Sequence, residues 1–337
     1  MTHWTQRAGW SEKMNALRVE NLHVCFQTQK GKKIAVDGVS FSVKPGEIFG
    51  LVGESGCGKS VTSMSILKLI TPPGRITEGI VEVDGENILE LSENQMQKRI
   101  RGSRISMIFQ EPMTSLNPLI TIGEQISETL RVHKNLSRKE AKEEAIRQLN
   151  NVGIPMAEKH YNSYPHALSG GMRQRVMIAI AMACEPEILI ADEPTTALDV
   201  TVQAQILSLM KRASIETGVA IVLITHDLGV IANMCDRVAV MYCGKIVEEG
   251  ITEDVLKNPH HPYTRGLIAS IPRLTGEEKM LHSIPNTVPQ IYEGAKGCYF
   301  SNRCDYCMEK CTVYTPRLKV ISDQHRVACH LYGGDAP

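Results

Sequence analysis

The sequence predicts a mixed α/β protein built on a largely parallel, helix-flanked sheet, and three observations predict it. Short apolar runs recur at residues 48–52 (IFGLV), 188–191 (ILIA), 220–225 (AIVLIT) and 238–242 (VAVMY), with helical segments between them. Strands alternating with helices build a parallel sheet covered on both faces. The first of these runs leads into a glycine-rich loop and then a helical stretch, residues 61–70 (VTSMSILKLI), the order that a phosphate-binding loop requires. Residues 16–26 (ALRVENLHVCF) and 35–43 (AVDGVSFSV) alternate apolar and polar positions, as strands of a half-exposed sheet do.

A chain of 337 residues can bury a large core, so one large domain with an appendage is expected. The apolar fraction of 42% and charged fraction of 22% are those of an ordinary globular protein. Lys+Arg and Asp+Glu both number 37, so no whole-chain field favours nucleic acid, and no nucleic-acid partner is expected. The longest apolar stretches, residues 176–184 and 220–225, are too short to span a bilayer. The N-terminus carries no apolar stretch like a signal peptide; a cytosolic chain that reaches a membrane through a partner is expected.

Residues 1–15 are read as a flexible leader, with a second methionine at position 14. From about 91 to 165 the texture becomes charged and helical, for example 137–150 (SRKEAKEEAIRQLN), and is read as an inserted helical subdomain. After Gly250 the chain turns rich in Pro and His, then in Cys, which sets a boundary between a main domain, 16–250, and an extension, 251–337.

Residues 53–60 read GESGCGKS, a match to G-x-x-x-x-G-K-[ST]. Gly53, Gly56 and Gly58 let backbone N–H groups crowd around phosphate oxygens, Lys59 offers a cation to the outer phosphates, and the Ser60 hydroxyl can ligate Mg²⁺. The following helix adds its positive end. The nucleotide-binding set is Gly53, Glu54, Ser55, Gly56, Cys57, Gly58, Lys59, Ser60 and Val61; a chance glycine turn is the bland alternative. Cys57 is read as a small filler, exposed enough to alkylate. Residues 188–193 (ILIADE) end a strand in two acids. Asp192 is placed to hold the Mg²⁺ shell and Glu193 to orient or deprotonate water, though acids also cap ordinary strand ends.

Residues 168–175 read LSGGMRQR, and here the chain resembles the ATP-binding-cassette (ABC) ATPases, whose signature motif this matches. Ser169, Gly170 and Gly171 open a helix where hydroxyl and N–H groups make an anion site; a plain N-capped helix would use the same residues. The resemblance covers roughly residues 17–250. It implies the ABC nucleotide-binding domain fold, with a phosphate-loop core, an antiparallel β subdomain and a helical insertion. Gln110 then matches the Q-loop glutamine that senses Mg²⁺ and contacts the membrane partner. Residues 197–199 (ALD), with Asp199, match the D-loop that communicates across a dimer, and His226 matches the switch histidine. Phe26 stands where the family places an aromatic against adenine. The signature residues would act on the partner's ATP, and Glu193, His226 and Gln110 would form the catalytic group.

Residues 110–118 (QEPMTSLNP), 259–272 (PHHPYTRGLIASIP) and the cysteine-bearing tail resemble the D-type ATP-binding subunits of dipeptide, oligopeptide and nickel importers. Of the ten cysteines, five fall at 298, 304, 307, 311 and 329. The family pattern uses Cys298, Cys304, Cys311 and Cys329 and leaves Cys307 as an extra. A structural [4Fe–4S] cluster is expected, with Zn²⁺ as the alternative and free thiols the bland reading. The resemblance implies ATP and Mg²⁺, a second cassette subunit (the same or related), two permease subunits, an extracytoplasmic peptide-binding protein acting indirectly, and a peripheral place at the cytoplasmic membrane face. The expected function is ATP hydrolysis that powers peptide import. A nickel or other small-solute importer is the nearest alternative. A soluble ABC ATPase of DNA repair, ribosomes or cluster assembly shares the nucleotide motifs but not the tail, and a non-hydrolysing regulatory subunit would not need Glu193 and His226.

Overall fold

The computed structural model describes residues 15–110, 115–196, 198–271 and 284–332. In chain order its principal elements are β1 (Leu17–Thr28), β2 (Gly31–Val43), β3 (Ile48–Val52), α1 (Lys59–Ile66), β4 (Gly74–Val83), β5 (Glu86–Asn87), β6 (Ile105–Ile108), α2 (Ile122–Lys134), α3 (Arg138–Asn151), α4 (Gly170–Met182), β7 (Ile188–Asp192), α5 (Val200–Thr217), β8 (Ala220–Thr225), α6 (Leu228–Met234), β9 (Arg237–Tyr242), β10 (Lys245–Ile251), α7 (Thr252–Lys257), α8 (Pro262–Ala269), β11 (Ile291–Tyr292), β12 (Lys319–Ser322) and β13 (His325–Val327). The chain divides into two compact units.

The first unit takes in Ser42–Ile48 and Glu82–Ile224. Here β6, β7 and β8 pair in parallel, with Ile105 opposite Ile188 and Ile188 opposite Ala220. Every residue of β7 and β8 is buried, which is why these strands read as unbroken apolar runs rather than alternating ones. The helices carry strong local stops. Thr121 caps α2 and left-handed Asn135 ends it. Ser137 and Glu140 close a capping box on α3. Asp199 caps α5, which ends on left-handed Gly218; such caps contribute roughly 1 kcal/mol each. Arg104 grips Glu187 with two hydrogen bonds, 2.8 and 3.1 Å, fixing the starts of β6 and β7 against each other.

The second unit takes in Val19–Phe41, Phe49–Val81 and the chain from Thr225 onward. In it β3 runs parallel to β9, β10 pairs antiparallel with β9, and β13 and β12 extend that sheet antiparallel. A second sheet places β1 between β2 and β4, with β11 at the β2 edge. The strand β10 carries two adjacent buried acids. Glu248 accepts the backbone N–H groups of His260 and His261 (2.7 and 2.9 Å) and pairs with His325 Nε2 at 2.8 Å. Glu249 is held by Arg237 and Arg326. A buried carboxylate left unpaired would be strongly destabilising, so the β13 partners His325 and Arg326 satisfy β10 as much as they lengthen the sheet. Among the described residues, no helix is long and apolar enough to cross a membrane.

Candidate active site

The glycine loop lies in the second unit, between β3 and α1. Its last glycine, Gly58, is the N-cap of α1 with φ of 106° and no side-chain cap. A Cβ there would come within 2.4 Å of the Ala35 carbonyl oxygen, so only glycine fits. The N-terminal N–H groups of α1 are thus left without a competing side chain, as an anion site requires. Lys59 is 5% exposed. Its Nζ folds back over the loop, donating to the carbonyls of Gly53 at 2.7 Å and Glu54 at 3.1 Å. These bonds hold a cation within the loop.

Cys57 corrects one expectation. It is 1% exposed, packed under the loop, and burial pushes its thiol pKa upward. A buried, protonated thiol is a poor nucleophile, so Cys57 is a core filler and not an alkylation site. The α1 helix also begins at Lys59 and ends at Ile66, earlier at both ends than the 61–70 reading, because the loop geometry nucleates it. Phe26 is half-buried, with its ring laid against Gly74, where a Cβ would meet it at 2.6 Å.

The acids lie in the first unit. Asp192 is the buried last residue of β7. Glu193 follows in the left-handed region, φ 46°, a conformation that costs a non-glycine residue roughly 1 kcal/mol or more. It is held there from both sides: its N–H donates to the Ile224 carbonyl at 2.9 Å, and its carbonyl accepts the Thr196 N–H at 3.2 Å. Its carboxylate accepts from Gln110 Nε2 at 3.1 Å and from the Thr196 hydroxyl at 3.0 Å. The structure therefore brings Gln110 and Glu193 together, and adds Thr196, which sequence reading missed. The only signal for Thr196 was its place three residues after the acid.

Ser169 caps α4, its hydroxyl accepting the Met172 N–H at 3.3 Å. A Cβ on Gly171 would lie 2.6 Å from Val202 Cγ1, so glycine there lets α4 approach the first turn of α5. That turn is itself capped by Asp199, which accepts the Val202 N–H at 2.9 Å. The signature helix and the Asp199 segment thus meet at Val202; Ala197 lies outside the described residues, as do residues 111–114 and residue 272 of the importer-like stretches and residues 1–14 of the expected leader. His226 is exposed immediately after β8, and Asp227 behind it caps α6.

Toward the C-terminus, Cys298, Cys304, Cys311 and Cys329 line one small cavity together with His261 and Phe300. Cys307 is exposed and lies outside that lining. Burial raises the Cys298 thiol pKa to about 11, and raises those of Cys304 and Cys329. Among the described residues, the one group of three or more ligand-type atoms within 4.8 Å of one another is Glu248, His260 and His325. The Glu248 oxygens already accept three hydrogen bonds, while the buried His260 Nδ1, 3.8 Å from Glu248 Oε1, has no hydrogen-bond partner.

The glycine loop before α1, the acids ending β7 and the Ser169-capped α4 stand at the ends of the strands and helices described above, and comparisons with known proteins identify the family. Residues 36–196 match the ABC transporter family, and residues 247–311 match the oligopeptide/dipeptide transporter C-terminal region. The chain is 50% identical over 316 residues to the dipeptide transport ATP-binding protein DppD of Bacillus subtilis, covering 94% of each. It is also 50% identical to the oligopeptide transport ATP-binding protein OppD of that organism, over 95% of this chain and 90% of that one. Among solved structures it is similar to the ATP-binding cassette MJ0796, seen as a dimer in a post-hydrolysis state with ADP and Pi. That match has 29% identity and a TM-score of 0.63, over 70% of this chain and 98% of the other. The chain is an ABC ATPase. It belongs to the family of ATP-binding subunits of dipeptide and oligopeptide ABC transporters.

Proposed function

We propose that this chain hydrolyses ATP to drive import of di- and oligopeptides, as one of two cassettes that close on two nucleotides. The observation that carries this reading is the union, on one chain, of a complete cassette motif set with the oligopeptide/dipeptide C-terminal region. In this reading the cassette occupies residues 16–250, with its helical subdomain at about 91–165, and the extension occupies 251–337. The loop 53–61 and Phe26 bind ATP. Ser60, Gln110 and Asp192 form the Mg²⁺ shell. Glu193 orients or deprotonates water, helped by Gln110 and His226. Ser169, Gly170 and Gly171 complete the partner's site, and Asp199 links the two. ATP closes the cassette pair and hydrolysis reopens it, a ligand-biased two-state cycle.

The partners are a second cassette subunit, the same or related, and two permease subunits docking near Gln110. An extracytoplasmic binding protein would deliver cargo to them, and this chain would sit peripherally on the cytoplasmic face. We also assign Cys298, Cys304, Cys311 and Cys329 a structural [4Fe–4S] cluster. The four cysteines line one small cavity, and four thiolates are the ordinary ligand set of such a cluster, with Zn²⁺ as the alternative. The complex reconstituted in proteoliposomes should take up peptides in an ATP-dependent way when offered peptides and nickel complexes in parallel. Uptake of nickel but not peptide would replace the cargo, and ATPase activity independent of any permease would favour a soluble role.

A further inference from the structure

We propose that Arg303 is a positioning residue of the phosphate loop: it neutralises the loop's own acid, Glu54, so that a nucleotide's polyphosphate meets no uncompensated negative charge there. The inference rests on reading the loop as the ATP site and adds the residue that makes its acid tolerable. An acid inside a polyanion-binding loop is electrostatically adverse, since unit charges a few ångströms apart repel by roughly 1 kcal/mol even in water.

The Glu54 carboxylate is gripped by both terminal nitrogens of Arg303, at 2.7 and 3.0 Å. Such a fork matches carboxylate geometry and fixes it, which a lysine could not do. The Arg303 side chain is 3% exposed against 29% for Glu54, so the arginine is built into the fold and the acid is brought to it. Its Nε donates to the Pro285 carbonyl at 2.8 Å, and one terminal nitrogen also faces the Tyr242 hydroxyl at 3.4 Å. A second anchor comes from the same C-terminal segment. The buried Tyr263 hydroxyl accepts the Glu54 N–H at 2.8 Å, and the Tyr263 ring packs on Tyr242 at 4.7 Å. Backbone and side chain of one loop residue are therefore both held by elements far along the chain. Arg303 directly precedes Cys304, so the cysteine-lined cavity and the phosphate loop share this turn.

The test is a calorimetric titration of the full chain with a non-hydrolysable MgATP analogue. Arg303→Gln should weaken binding about tenfold, and Glu54→Gln/Arg303→Gln should recover to within about threefold of the parent. Arg303→Gln binding like the parent, or a double variant as weak as the single, would overturn the proposal in favour of a purely structural arginine. Should Arg303→Gln lose its cooperative melting, Arg303→Lys decides: with the charge kept it should bind within about threefold of the parent, and folded Arg303→Lys binding about tenfold weaker overturns the idea. A parent chain that does not bind the analogue would instead sink the reading of the loop as the ATP site.

Discussion

Gln110 and Glu193 are joined by a 3.1 Å hydrogen bond from the Gln110 amide to the Glu193 carboxylate, linking the residue two places beyond β6 to the one directly after β7. The parallel register of β6 on β7, with Ile108 opposite Ala191, brings these two chain ends to the same sheet edge. The Thr196 hydroxyl binds the same carboxylate oxygen, so two neutral donors aim the acid.

Gln110→Ala should therefore leave MgATP binding nearly intact while lowering the assembled transporter's turnover by roughly 10- to 100-fold. Thr196→Val should give a smaller loss of the same kind. Steady-state hydrolysis set beside equilibrium nucleotide binding checks this, and parallel loss of both would point to a folding defect.

Gly58→Ala should weaken nucleotide binding sharply. The new Cβ would face the Ala35 carbonyl at 2.4 Å at a φ of 106°, so the loop must move or the helix must restart. Nucleotide titration with circular dichroism as a fold control reads the result, an expected fall of at least about tenfold from strain of this size.

The Cys298, Cys304, Cys311 and Cys329 positions differ from Cys307 in burial and in lining one cavity. Serine at any of the four should remove the visible charge-transfer absorption of anaerobically purified protein, while Cys307→Ser should keep it. Iron and sulfide analysis of each variant checks the assignment, and colourless, zinc-loaded parent protein would refute it.

His261 makes acid stability a fold property. Its ring caps α8 by accepting the Tyr263 N–H at 3.1 Å, and burial with nearby Arg265 lowers its pKa to about 3. The folded pKa lies below the unfolded value of 6.5, so the unfolded chain binds the extra proton between those limits. Stability is complete above about pH 6.5 and falls as pH drops toward 3, by roughly 2 kcal/mol at pH 5 from this group. His261→Asn, which can still cap the helix, should flatten that slope in urea unfolding at pH 7 and pH 5.

The buried β3, β7 and β8 were legible because a strand covered on both faces shows an unbroken apolar run, and the charged, helical texture of residues 137–150 marked α3. Local chemistry also made the 53–60 loop readable. Missing from that reading were β4, β10 and β13. Glu248 and Glu249 look like a solvated edge until His325 and Arg326, 77 residues away, are found beside them. Long-range pairing of buried charge has no local period, so neither those partners nor the Arg303 grip on Glu54 could be seen in sequence. The left-handed turn at Glu193 was equally hidden, because its strain is held by backbone contacts to Ile224 and Thr196.

The central claim, that this chain hydrolyses ATP at its own carboxylate site, is tested most directly by Glu193→Gln in the assembled transporter. Hydrolysis should fall by roughly 100-fold or more while MgATP still binds and the subunits stay assembled. Hydrolysis surviving at near-parental rate in an intact, nucleotide-bound complex would contradict it.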